Sequence, residues 1–153
     1  MTRLDYAKEK PEFIARLRAI TQEQKHFQIN PMLRTLVELR VSQINGCVYC
    51  TDLHSREARS LGESQQRLDS LPVWKESPFF DAREKAALTW AESLTQIPQT
   101  SACEADYQAV CAFFSATEVV EISIAVSLAN FWNRMAGGFR RLPEAEKPQP
   151  LAE

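Results

Sequence analysis

Two cysteines three residues apart, with a histidine four residues after the second, stand in the stretch NGCVYCTDLHS, residues 45–55. Cys47, Cys50 and His54 are the residues whose types and spacing could do chemistry. Such a pair could fill core, hold a metal or carry out thiol redox chemistry. On a helix, residues advance by about 100° each, so these three share one narrow arc, and Glu57 lies close to it. Thiols at this spacing have Cα atoms roughly 5–6 Å apart, within the reach of a disulfide. Cys47 follows Gly46 and would sit at a helix N-terminus, where unpaired N–H groups and the macrodipole favour a thiolate. His54, one turn beyond Cys50, can accept or relay that thiol's proton, with an ordinary pKa near ~6.5. A lowered thiol pKa, a resolving partner and a proton relay are what peroxide reduction by cysteine needs.

The blander roles weigh less. A lone cysteine is usually core, but a CxxC at a helix start with histidine one turn on is harder to explain by packing. Structural zinc takes four protein ligands, and the remaining candidates, Cys103, Cys111 and His26, lack paired spacing, so no metal and no cofactor is expected. Cys103 and Cys111 read as packing residues on an amphipathic helix. His26 closes the polar run QEQKH and reads as a solvated residue at a helix C-terminus.

The elements that must position these groups are helices. The chain has 153 residues, 44% hydrophobic and 25% charged, with only 4 Gly. That composition suits one soluble domain, and no period-two alternation persists. Helical spacing places Phe13, Leu17, Ile20 and Phe27 on one helix over residues 12–27. Asn30-Pro31 has the form of an N-cap followed by proline at the first helical position. Behind it run Leu33, Leu36, Val37, Val41 and Ile44 as one apolar stripe, interrupted at Asn45-Gly46. Further helices are expected over 47–61, 64–71, 81–96, 101–114 and 118–135, with capping-box spacing at Asp81/Glu84 and Ser101/Glu104 and Gly137-Gly138 as the last stop. The fold class is all-α, a bundle of about six to seven helices with the CxxC at the N-terminus of a central one. Residues 1–142 form the domain, and 143–153 a mobile polar tail.

The segment LRTLVELRVSQINGCVYCTDLHSREARSLGE resembles the core of AhpD-like alkylhydroperoxidases, within the carboxymuconolactone decarboxylase superfamily. WKESPFFDAREKAALTWAESLT and ANFWNRMAGGFR extend the resemblance to roughly residues 10–142. It implies an all-helical fold assembled into trimers or hexamers, and a peroxide-reducing dithiol. Carried over by position, Cys50 would attack an organic hydroperoxide or hydrogen peroxide, Cys47 would close the disulfide, and His54 would belong to the proton relay. An external thiol reductant would then be required. The family's relay glutamate, twelve positions before the first cysteine, is here Thr35. Thr35, Glu38, Ser42 and Asn45 share a polar face of the second helix, where Glu38 can take over part of the missing relay or be a solvated or salt-bridged surface residue. An oligomer interface would also explain that face. Glu57 reads as a partner for a neighbouring arginine.

Other functions remain open. A non-catalytic or weakly active redox sensor would keep the thiols. A lactone decarboxylase would not need them. The net charge of −2 offers nothing to nucleic acid or acidic membranes. No run is apolar enough to span a bilayer, and MTRLDYAKEKPEF lacks the apolar core of a secretory signal, so a reducing cytoplasm is the expected compartment. Trp132 is expected to pack, Trp74 with Phe79-Phe80 to clasp neighbouring helices, and Arg134 to interact with its own helix end.

Overall fold

Asn30 ends an extended segment and starts the helix on which the site is built: its side-chain oxygen accepts from the N–H groups of Met32 and Leu33, and Pro31 follows at the first helical position. The computed structural model describes residues 1–145. It is all-α, with nine α-helices among the described residues and no strand. These are α1 (Tyr6–Glu9), α2 (Pro11–Gln22), α3 (Pro31–Ile44), α4 (Val48–Ser60), α5 (Gln65–Ser70), α6 (Ala82–Thr95), α7 (Ile97–Thr100), α8 (Glu104–Cys111) and α9 (Ala116–Gly138). Two 3₁₀ turns, Glu23–His26 and Leu71–Val73, complete the set. The seven helices expected from periodicity are all present, and α1 and α7 are four-residue turns beyond them. Residues 146–153, most of the expected tail, lie outside the described residues.

Helix α3 runs through the middle and buries opposite sides into two cores. Leu33, Val37 and Val41 meet Trp90, Ile122 and Val126 from α6 and α9. Leu36 and Leu39 meet Ala58, Leu71, Trp74, Phe80 and Leu88 on the other side. Full burial of each such side chain stabilises by about 1.5–3 kcal/mol. The clasp expected of the connector forms through Trp74 and Phe80, and Trp74 Nε1 donates to Glu92 at 2.8 Å; Phe79 stays exposed.

Several local readings are corrected. Phe13 and Ile20 are 62% and 56% exposed, and Ile14 is the residue α2 buries. Leu17 is half-buried, and Phe27, beyond the end of α2, packs against the core. Leu61, at the C-terminal end of α4, is also exposed. Ser101 is not the N-cap of α8: Ser101 and Ala102 take left-handed backbone, Ser101 as the C-cap of α7, and α8 begins after Cys103. Cys103 and Cys111 are exposed rather than packed. The last helix starts at a capping box of Ser115 and Glu118 and runs through Gly137 and Gly138; the left-handed residue that follows is Arg140. The polar face of α3 is no surface, since Thr35, Glu38 and Ser42 are buried inside the chain.

Candidate active site

Gly46 adopts φ +64°, the left-handed turn that ends α3 and starts α4. That turn makes Cys47 the N-cap of α4, and its sulfur accepts the Cys50 N–H at 3.3 Å. Cys50 lies one turn in. Both thiols are buried, with Ala136 of α9 and Tyr49 packed around them. The Cys50 thiol beside it, against the cost of burial, brings the Cys47 thiol down to about 7, helped by the Cys50 and Tyr49 N–H groups and by His54. Cys50 is pushed up, first by its bond to Cys47 and then by burial; Asn133 and Arg141 act the other way.

A charged cluster surrounds His54, one turn beyond Cys50 on α4. His54 Nδ1 is 3.2 Å from Glu57 Oε2 and 3.7 Å from Glu38 Oε2. Arg34 bridges the same two carboxylates, at 3.7 Å to Glu38 and 3.5 Å to Glu57, and donates to the Gln24 carbonyl at 2.8 Å. Burial alone would depress His54, but the Glu57 hydrogen bond and the Glu38 and Glu57 charges outweigh it and raise its pKa. Burial raises Glu38 despite His54 and Arg34. Glu57 is lowered, chiefly by its bond to His54 and against its own burial. Glu38, His54 and Glu57 present atoms close enough to ligate one metal, yet Arg34 already supplies the cation between the acids. With His54 as imidazolium, two negative and two positive charges balance.

The thiols open onto different cavities. Cys50 and His54 line one of about 360 Å³ together with Tyr49, Leu53 and Trp132. Cys47 lines a smaller one of about 180 Å³ with Gly46, Val48 and Arg140. Ala136 and Arg141 belong to both walls. The Arg141 guanidinium lies 4.0 Å over the Tyr49 ring and donates to the Tyr6 hydroxyl at 3.3 Å.

A sequence model of the carboxymuconolactone decarboxylase family matches residues 11–93. The chain belongs to that family. The uncharacterized protein YdfG of Bacillus subtilis is 34% identical over 134 residues, 88% of this chain and 91% of that protein. The uncharacterized protein YnjA of Escherichia coli is 30% identical over 129 residues, 80% of this chain and 70% of that protein. A crystal structure of an Agrobacterium tumefaciens protein of unknown function, with a suggested AhpD antioxidant-defence role, superposes with a TM-score of 0.93 at 36% identity. That match covers 95% of this chain and 100% of the other. A peroxidase-related protein from Silicibacter sp. TM1040 gives a TM-score of 0.79 at 25% identity, covering 89% of this chain and 72% of that one. The architecture is therefore AhpD-like.

Of the expected site residues, Cys47 and Cys50 are in contact, Cys50 and His54 line one cavity, and Glu38 lies 3.7 Å from His54. Thr35, at the position of the family's relay glutamate, is fully buried and spends its hydroxyl on the Pro31 carbonyl at 2.9 Å. Glu57 does pair with an arginine, as expected, and also bonds His54. Arg34, Asn133 and Arg141 were missed. Arg34 was readable as the residue one turn before Glu38 on the same face. Asn133 donates to Ser42 at 3.0 Å and accepts from Asn45 at 2.9 Å, contacts that only tertiary structure brings about. Trp132 does more than pack: its Nε1 donates to Thr21 at 2.8 Å, pinning α2 beside the larger cavity. Arg134 bonds Asn130 on its own helix, away from the thiols.

Proposed function

We propose that the protein is a peroxide-reducing thiol oxidoreductase cycling Cys47 and Cys50 between dithiol and disulfide. The observation that carries this reading is that Cys50 shares a cavity with His54 while its backbone N–H holds the Cys47 sulfur one turn away. As a hydroperoxide enters, the Cys47 thiolate takes the Cys50 proton. The Cys50 thiolate attacks the terminal oxygen, and the O–O bond breaks to give a Cys50 sulfenic acid and an alkoxide. The His54 imidazolium protonates the alkoxide. Cys47 then returns its proton to the neutral His54, and its sulfur displaces hydroxide from Cys50, which leaves as water with that proton. The sum is two thiols and one hydroperoxide giving a disulfide, an alcohol and water. Glu38 and Glu57 hold the imidazolium and orient it. A dithiol reductant closes the cycle by exchange.

The reading places the protein in a reducing compartment such as the cytoplasm. Among the described residues no helix is long and apolar enough to cross a membrane. Assembly as a homo-oligomer, a trimer or hexamer, is supported by the exposed Phe13, Ile20, Val120 and Ile124, and light scattering on the purified chain tests it. The test of function is steady-state loss of an organic hydroperoxide with a dithiol reductant. Turnover that vanishes in both Cys47→Ser and Cys50→Ser is expected. One stoichiometric oxidation with no turnover under any dithiol supports a redox sensor instead.

A further inference from the structure

The cavity over Cys50 is cationic in a chain whose net charge is −2. Arg18 and Arg141 both line it, His54 is its third basic group, and no Asp or Glu does so among the described residues. The two guanidiniums also line an adjoining cavity of about 470 Å³, so they stand where the two spaces meet. Neither has a carboxylate within 4.0 Å among the described residues. Asp5 lines that adjoining cavity and its charge reaches Arg141, but its side chain caps α1 through the Ala7 N–H and pairs with Lys8 at 3.4 Å. Arg141 is fixed by Tyr49 and Tyr6, whereas Arg18 is exposed on α2. Tyr6, Tyr49, Leu53, Trp132 and Ala136 make most of the remaining wall, with Tyr49 and Ala136 packed against the thiols, and Thr21 and Gln22 add a polar stretch from α2.

A site with an apolar wall by the reacting sulfur and paired guanidiniums at its edge suits one kind of ligand. We infer that the preferred substrate is an organic hydroperoxide bearing a carboxylate, its apolar body against Leu53 and Trp132 and its carboxylate on Arg18 and Arg141. This rests on the peroxidase reading and adds substrate class to it. Guanidinium binds carboxylate through paired N–H donors, a strong and directional contact. The carboxylate is a spectator: the electrons and protons move as described above, between the two thiols and the O–O bond.

The experiment compares para-carboxy cumene hydroperoxide with its methyl ester, which differ in charge far from the peroxide. Thiol oxidation by each is followed in the full chain, alongside Arg18→Gln and Arg16→Gln. Arg16 lies on the same helix outside this cavity. The acid is expected to be favoured about tenfold in kcat/KM, through KM, the scale of one charge-assisted contact. That ratio should fall to about one in Arg18→Gln and persist in Arg16→Gln. Equal use of acid and ester by the unsubstituted chain, or the same loss in both arginine variants, would overturn the inference. Binding of the stable alcohol products by calorimetry separates the two readings. Arg18-dependent preference for the acid alcohol, with neither peroxide consumed, would sustain the anionic site and remove the peroxidase. Turnover without charge preference would do the reverse.

Discussion

The backbone N–H of Cys50 points at the sulfur of Cys47 across 3.3 Å, so the first cysteine is held by the helix that carries the second. With the Cys50 thiol and His54 beside it, Cys47 loses its proton at about 7, below the about 8.5 of a free cysteine. Below that pH Cys47 is protonated and Cys50 has no acceptor. The oxidation rate should therefore rise through about pH 7 and level off where a free thiol is still climbing. His54, whose pKa is raised, is charged below its folded value and neutral above it, so alkoxide protonation fails on the alkaline side. Stopped-flow rates across pH, with His54→Gln losing the alkaline limb and about 10²–10⁴-fold in rate, check both signs.

Glu38 should matter and Thr35 should not. Glu38→Gln keeps size but removes the buried charge 3.7 Å from His54, and oxidation should slow by about tenfold, below the full contribution of a general acid. Thr35→Val loses only a bond to a carbonyl of its own helix, costing about 1 kcal/mol of stability. Unchanged kinetics in Glu38→Gln would remove it from the relay.

Glu57 sets the charge of His54. Glu57→Gln turns the charge-assisted hydrogen bond at 3.2 Å into a neutral one and removes one of the two neighbouring negative charges. The His54 pKa should fall, and its imidazolium should be lost at lower pH than in the parent. Proton NMR titration reads this directly, because the chain has only 2 His and His26 is exposed.

Asn133 ties three elements together through Ser42, Asn45 and Cys50. Asn133→Ala strands the buried Ser42 hydroxyl without this donor and should cost about 1–3 kcal/mol. Urea unfolding should show a lower midpoint with the slope unchanged.

Much of this site was legible in the sequence because it is local. Gly46, Cys47, Cys50 and His54 lie within one turn and two turns of helix, and helical geometry fixes their relation without knowledge of the rest. Glu38 was legible for the same reason on α3. Asn133 and Arg141 come from α9 and the segment after it, 80 or more residues away in sequence, and no periodicity announces such contacts. The errors have similar causes. Phe13 and Ile20 keep helical spacing, but spacing does not say which face meets protein, and α2 buries Ile14 alone. Ser101 and Glu104 have capping-box spacing, yet the left-handed backbone at Ser101 and Ala102 belongs to the end of α7.

The assignment of Cys50 as the attacking thiol is tested most directly by trapping its first product. Cys47→Ser and Cys50→Ser are each treated with one equivalent of an organic hydroperoxide and a sulfenic-acid reagent, then weighed intact and mapped by peptide. A fast adduct on Cys50 in Cys47→Ser, with slow oxidation of Cys47 in Cys50→Ser, is the expected result. A fast adduct on Cys47 in Cys50→Ser, with Cys50 inert in the other variant, would contradict it and move the attack to the smaller cavity.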